Sequence, residues 1–339
     1  MNEFNNEAGY IGPQFLFVLL FLAAIAYGTG FLVSTTMRSE RSSREYTRQL
    51  ESIQEIVTEV FEAIKEDPTP KADTPDDPVW DLNNTVKDGY TIHIRSLSGS
   101  INVNFIRKDI LDKTDLGKML IDGKTPADLQ QQRYDNRLAL HPSEYEGFFR
   151  SETFDSNITC YGWANINLIE EFALERYIES LTGSTSRGES YHAKFQQSLL
   201  DKKVFTNESL RLFFGLDYRE VYPYINAEPQ LNINFAHEFL IREIVGYPLY
   251  GVENPESRAA SLIQERTQGI DSVESIASIL GVPKDHPLCQ WFGCVTWFWE
   301  IFLEGPGRKY RFVVCRIPDD TIETAFEPVY HIIERGFVP

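Results

Sequence analysis

Basic residues are the scarce charge in this 339-residue chain: 32 Lys and Arg stand against 50 Asp and Glu, a formal net charge of −18. A surface this acidic repels phosphate backbones, which argues against nucleic acid as a partner. Cysteine is sparse as well. Cys160, Cys289, Cys294 and Cys315 are too few for a disulfide scaffold, and no C-x-x-C pair offers a zinc site. A disulfide among Cys289, Cys294 and Cys315 and a set of buried thiols both fit, depending on the compartment. Catalytic signatures are missing too. The six histidines (His93, His141, His192, His237, His286, His331) are scattered, with no H-E-x-x-H, Gly-x-Ser-x-Gly or Gly-rich phosphate loop. We assign no catalytic residue, and the chain reads as a non-enzyme. What it does have is apolar material: 42% hydrophobic and 13% aromatic residues exclude a disordered chain. Its length leaves room for two cored domains.

Charge is absent from Phe15 to Val33 (FLFVLLFLAAIAYGTGFLV). Nineteen helical residues reach roughly 28 Å, about the hydrocarbon thickness of a bilayer. The run is longer than a signal-peptide core and no basic residue precedes it, so it reads as a membrane span that stays attached. Pro and Gly are then absent between Gly30 and Asp67, while Tyr46, Leu50, Ile53, Val57, Val60 or Phe61, and Ile64 recur at helical spacing. Span and stripe predict one helix from about Pro13 to Lys65, roughly 80 Å long. The stripe fits a covering globular domain or a coiled-coil stalk. Glu3 and Glu7 precede the span and Arg38, Arg41, Arg44 and Arg48 follow it, which by the positive-inside rule favours a cytoplasmic domain.

One short pattern occurs three times: Ile101-Asn102-Val103-Asn104-Phe105, Ala164-Asn165-Ile166-Asn167-Leu168 and Leu231-Asn232-Ile233-Asn234-Phe235. The Asn pairs start 63 and then 67 residues apart. Asn suits turns and caps because its amide competes for backbone groups, so each copy predicts a strand or loop end clamped onto a helix start. Three copies predict one structural unit used three times.

Around these repeats the chain reads as α+β. Asp67 to Pro78 (DPTPKADTPDDP) predicts a solvated loop that ends the long helix. Tyr90 to Ile94 alternates like a half-buried strand, and Ser98-Gly99-Ser100 suggests a hairpin-like turn into the first repeat. Candidate helices follow over Glu170–Leu181, Ser190–Asp201, Asn207–Phe214, His237–Val245, Ser257–Arg266 and Ser272–Leu280. The last two flank Gly269 like a helix-hairpin-helix, but Glu253, Glu256, Glu265, Asp271 and Glu274 around it speak against DNA. Trp291–Leu303 and Tyr310–Ile317 predict closing strands joined by Gly305-Pro306-Gly307. The economical topology is a small sheet interrupted by an all-α domain. His237 is expected to cap, the Glu170-Glu171 pair to favour a helix N-terminus, and the cluster of Trp291, Trp297 and Trp299 to line the core at least in part.

These segments, in this order, resemble general secretion pathway protein K, the large minor pseudopilin of bacterial type II secretion systems. The resemblance lies in Ser98–Phe105 (SGSINVNF), Asn207–Ile225 (NESLRLFFGLDYREVYPYI), Glu228–Leu240 (EPQLNINFAHEFL), Arg258–Val282, and the pair Thr296–Leu303 and Tyr310–Ile317. It implies a single N-terminal transmembrane and stalk helix and a small pilin-like antiparallel sheet with a large inserted all-α domain. The implied division is a leader over 1–9, the long helix over 10–66 with its span at about 15–33, a first pilin-like part over 67–104, the insert over 105–285, and C-terminal strands over 286–339. Gly9 and Tyr10 would flank the cut made by a prepilin peptidase, with methylation of the new amine. Gln14 stands five residues into the mature chain, where most pilins have Glu; the absence of that Glu resembles the K-type subunit, expected at the pseudopilus tip. A buried carboxylate needs a partner, and a tip subunit has none above it. The leader departs from the pattern in lacking Lys or Arg. Implied partners are other minor pseudopilins, met through helix packing and pilin-like domains, together with the peptidase and exported proteins. The implied location is the bacterial inner membrane, single pass, with the large domain in the periplasm. Calcium enters by resemblance only, no metal ligand is assigned, and no other cofactor is expected. The acidic leader and the arginines after the span also admit an unprocessed single-span protein with an acidic binding or scaffold domain.

Overall fold

The computed structural model describes residues 11–136, 142–145, 147–150, 157–200, 204–305, 308–317 and 329–338, with backbone alone for 11–28, 30–33, 134–136, 142–143, 308, 317 and 329–338. The chain divides into two compact units, residues 1–59 and 60–339. Helix α1 runs unbroken over Ile11–Lys65, as the absence of Pro and Gly from its second half requires. In the first unit Tyr46 and Leu50 are exposed. In the second, Val60 and Ile64 of its last turns are buried. The side chains of the apolar run lie outside the described residues, apart from Thr29. Among the described residues no helix is long and apolar enough to cross a membrane.

Within the second unit, a five-stranded antiparallel sheet has the order β1-β2-β9-β10-β11. Its strands are β1 (Val86–Lys87), β2 (Tyr90–Ser96), β9 (Phe298–Gly305), β10 (Arg308–Ile317) and β11 (Val329–Val338). Burial in β2 alternates with the pleat, whereas the middle strand β9 buries five of its first six residues outright. That is why those six residues are apolar, save for Glu300, while Glu304 falls in the exposed end of the strand. The carboxylate of Glu300 is buried between Arg95 on β2 and Arg311 on β10, each 2.5 Å away. A charge on this strand persists because two guanidinium groups meet it.

Strands β2 and β9 are direct neighbours, pairing from Thr91↔Glu304 to Ser96↔Trp299. The helical insert therefore leaves the sheet at Ser96 and returns at Phe298, with Ser96 Oγ 3.1 Å from Thr296 Oγ1 across 200 residues of sequence. It consists of three modules, each opened and closed by a pair of two-residue parallel strands. In the first, β3 (Ile101–Asn102) pairs with β4 (Ile158–Thr159). In the second, β5 (Ala164–Asn165) pairs with β6 (Ile225–Asn226). In the third, β7 (Leu231–Asn232) pairs with β8 (Phe292–Gly293). The expected hairpin into the first repeat is not formed, because β3 takes its partner from the far end of its own module.

After the short helix α2 (Pro78–Asp81), the first module contains α3 (Lys108–Lys113) and α4 (Pro126–Asn136). The second contains α5 (Glu171–Thr182), α6 (Thr185–Leu200), α7 (Asn207–Phe214) and α8 (Tyr218–Val221). The third contains α9 (Glu238–Val245), α10 (Pro255–Glu265), α11 (Val273–Leu280) and α12 (Leu288–Trp291). Trp291 thus ends a helix instead of opening a strand, and Trp291, Trp297 and Trp299 are all buried.

The first and third modules share one apolar core, reaching from Ile101 and Leu129 to Leu240, Leu262 and Trp291. The second has its own, built on Ile166, Leu174, Phe195, Leu210 and Phe214. Gly99 seals the approach to the third module: a Cβ there would lie 2.4 Å from the carbonyl oxygen of Phe235. Since that atom is backbone, Gly99→Ala must push the segments apart and is expected to destabilise the domain by about 1–3 kcal/mol, read from urea unfolding midpoints. An unchanged midpoint would contradict this packing.

Candidate functional site

Each module is closed by an Asn clamp with the same wiring. The first Asn of the motif folds its side-chain oxygen back to accept from the backbone N–H two residues on: Asn102 from Asn104 at 3.0 Å, Asn165 from Asn167 at 2.8 Å, Asn232 from Asn234 at 3.0 Å. Its backbone carbonyl accepts from the residues three and four ahead, starting the turn towards the helix. Its side-chain amide then donates to carbonyls beyond the closing strand. Asn102 reaches Cys160 and Gly162, Asn165 reaches Glu228 and Gln290, and Asn232 reaches Asp73 and Cys294 together with Thr296 Oγ1.

The second Asn ties the turn to its own module. Asn104 Oδ1 accepts from Tyr145 Oη at 2.9 Å. Asn167 exchanges two hydrogen bonds with the backbone of Phe205, and Asn234 does the same with Ile270. All six amides are thereby used on backbone and side chains of the chain itself. The three Asn pairs thus share one wiring. The Asn residues do not cap the helices that follow; Arg107, Glu170 and His237 occupy those positions. His237 caps α9 by accepting from Phe239 N–H. Glu170 turns its carboxylate to the first module instead, accepting from Lys108 N–H and from Gln130.

The loop after α1 differs from expectation. Its composition predicts a solvated segment, yet Ala72, Asp73 and Asp77 are buried. The reason is Arg316 on β10, fully buried, whose guanidinium grips both oxygens of Asp73 at 3.1 Å and donates to the Pro70 carbonyl at 2.8 Å. It also lies 3.7 Å from Asp67 and over the Trp299 ring at 4.9 Å. The Asp73 backbone carbonyl accepts from Asn232 and Asn234, and its N–H donates to Cys294. Nothing within the loop announces this. The signal was Arg316 itself, one of two charges, with Arg311, in the otherwise apolar strand Tyr310–Ile317.

Three carboxylates, from Asp67, Asp73 and Asp77, lie within 4.8 Å of one another around this one guanidinium. Burial, offset only in part by Arg316, pushes the Asp73 carboxyl up to about 7, and burial likewise pushes Asp77 up to about 6. Elsewhere all four cysteines are buried free thiols, and burial pushes Cys160 and Cys294 up to about 12 and Cys289 to about 11. Thiols so protonated are poor nucleophiles. His192 pairs with Glu171 and Glu175, and these carboxylates raise its pKa. Gly9 and Tyr10 lie outside the described residues, as does the side chain of Gln14.

No protein-family model matches the chain, and no curated protein does. Among solved structures it is similar to a chain of the GspK–GspI–GspJ complex from the type 2 secretion system of enterotoxigenic Escherichia coli, at 12% identity and a TM-score of 0.39. The similarity covers 88% of this chain and 99% of that one.

Two outcomes test the geometry. Asn232→Ala removes the buried bonds to the Asp73 and Cys294 carbonyls, each of which keeps one other donor, and leaves the Asn234 N–H without its acceptor, so it is expected to cost about 1–3 kcal/mol. Asn102→Ala, whose amide bonds are 3.3 and 3.5 Å long, is expected to cost less. Urea unfolding of both variants checks the order. The second concerns pH. Carboxyls raised in the folded state take up protons on folding. Their stabilisation is fully present below the ordinary carboxylate range and is lost as pH rises through about 6 and 7. Asp73→Asn should therefore flatten the fall in stability between about pH 4 and pH 7, by up to about 1.4 kcal/mol per pH unit for the proton removed.

Proposed function

We propose that this chain is a minor pseudopilin of the K type, working in pseudopilus assembly and protein export without catalysis. The observation that carries the reading is the insertion topology. A long N-terminal helix precedes an antiparallel sheet, and an all-helical block hangs between its adjacent strands β2 and β9. The sequence adds an uncharged run over Phe15–Val33, a Gly9-Tyr10 junction ahead of it and Gln14 in place of an acid.

In this reading Phe15–Val33 anchors the protein in the inner membrane and packs against the same helix of other pseudopilins. The sheet would meet the sheets of its neighbours, and the three-module block would be displayed at the tip, on the periplasmic side. Prepilin peptidase would cut after Gly9. Gln14 suits a subunit with no neighbour above it, since an amide needs no counter-charge where a carboxylate does. The clamps and buried thiols make the block a rigid body for contact, not a reactive one.

The arginines at 38, 41, 44 and 48 and the acidic leader favour a second reading, an unprocessed single-span protein with an acidic scaffold domain. Mass spectrometry of the N-terminus of natively expressed protein separates the two. A chain beginning at Tyr10, with a methylated amine, is the expected result. A chain still carrying Met1 overturns the pseudopilin reading and leaves the anchored scaffold.

A further inference from the structure

We infer that Arg316 takes the place of a metal ion in the Asp67, Asp73 and Asp77 cluster, so that the domain folds around its own cation and needs no divalent one there. Three carboxylates within 4.8 Å of one another have the spacing of a calcium site, and the family resemblance raises calcium as a candidate. The residues present do not fit it. Calcium wants six to eight oxygens at about 2.3–2.6 Å. Here both Asp73 oxygens face the guanidinium at 3.1 Å, and its Oδ2 also accepts from Thr296 N–H at 2.6 Å. Asp77 is turned to Thr74, accepting from its N–H at 2.8 Å and from its hydroxyl at 3.2 Å. Asp67 Oδ1 accepts from Thr69 N–H at 2.7 Å and from its hydroxyl at 3.1 Å.

A dication here would have to displace those donors and share the interior with a buried guanidinium. Arg316 cannot give up its proton to make room, as a lysine would. Nor can it swing out freely. Its flat face lies on Trp299, its Nη1 is held by Pro70, and its backbone N–H donates to Trp297. The planar fork supplies to the loop what an ion supplies elsewhere: one positive centre that gathers carboxylates from a chain segment without secondary structure.

Terbium luminescence provides the test, because Trp299 beside the cluster is a built-in sensitiser for a lanthanide bound in it. Full-length wild type is expected to melt at the same temperature, within about 1 °C, in excess calcium and in EDTA. Any tryptophan-sensitised terbium emission it shows should be unchanged by Asp73→Asn, which marks it as binding elsewhere on the acidic surface. Arg316→Met is expected to melt lower, to gain terbium emission that Asp73→Asn abolishes, and to be shifted upwards by calcium. The inference is overturned by a calcium-dependent rise in wild-type melting temperature, or wild-type terbium emission, that Asp73→Asn removes. A folded Arg316→Met that gains no terbium emission overturns it also, by denying the cluster the geometry of a cation site. If Arg316→Met does not fold, the wild-type and Asp73→Asn comparison decides alone.

Discussion

A two-residue strand satisfies almost none of its own backbone, and every module of the helical insert is opened and closed by such strands. The carbonyls just beyond each pair face inward and need donors that the short ladder does not supply, at about 1–3 kcal/mol for each one left without any. A longer ladder would solve this with more strand. This chain solves it with an amide. One Asn accepts with its oxygen and donates two protons from a separate nitrogen at the same time, a combination that only Gln shares. The oxygen fixes the turn that leads to the next helix, and the nitrogen covers the carbonyls of the closing segment. Asp in the same place would accept in the turn but repel the carbonyls. Ser is too short to reach two of them. The motif is thus dictated by the need to end a strand after two residues inside a core.

The same constraint joins the modules to one another. Asn165 donates beyond its own module to Gln290 in the third, and Asn232 donates to Asp73, which precedes all three. Asp73 is in turn held by Arg316 from the sheet. A path of buried polar contacts therefore runs from the third module through the loop after α1 to the strand β10. Each link has low exposure and short distances, so loss of one leaves the next unsatisfied. This explains why so acidic a chain keeps Asp73 and Arg316 in its interior. Their charges join parts of the chain that are adjacent in space and more than 200 residues apart in sequence.

Much of this was legible in the sequence, and the legible part has one character. The helices over Asn207–Phe214 and Glu238–Val245 are visible because periodicity and caps are local. The repeat is visible because three copies of a local turn look alike. The sheet strands are visible as alternating or continuous apolar runs. What stayed hidden depends on partners far away in the chain. The turn at Ser98-Gly99-Ser100 reads as half a hairpin, and only the position of Ile158 shows that β3 pairs in parallel within its module. The loop from Asp67 to Pro78 reads as solvated because Pro and Asp usually are. Its burial is decided by Arg316, and no spacing rule connects the two. For the clamps, the Asn residues could be named but not their acceptors, since Gln290 and Cys294 become acceptors only when the modules close.

The position of the insert is the last physical point. β2 and β9 are neighbours, so the block enters and leaves through one gap in the sheet, where Ser96 meets Thr296. A domain inserted there adds no strand to the sheet and removes none, because the two strands it separates in sequence still pair over Thr91–Ser96. The sheet is therefore free to keep whatever contacts its own faces and edges make, while the block grows outward from a single point of attachment. That point is narrow, and a narrow attachment would swing if left alone. It is stiffened by what surrounds it: Ser98 Oγ accepts from Trp297 N–H, Trp163 at the entry to the second module packs on Phe298, and Gly99 lies against Phe235 of the third. Two of the three modules thus lean on the junction itself, and the block is carried as an extension of the sheet instead of a tethered domain.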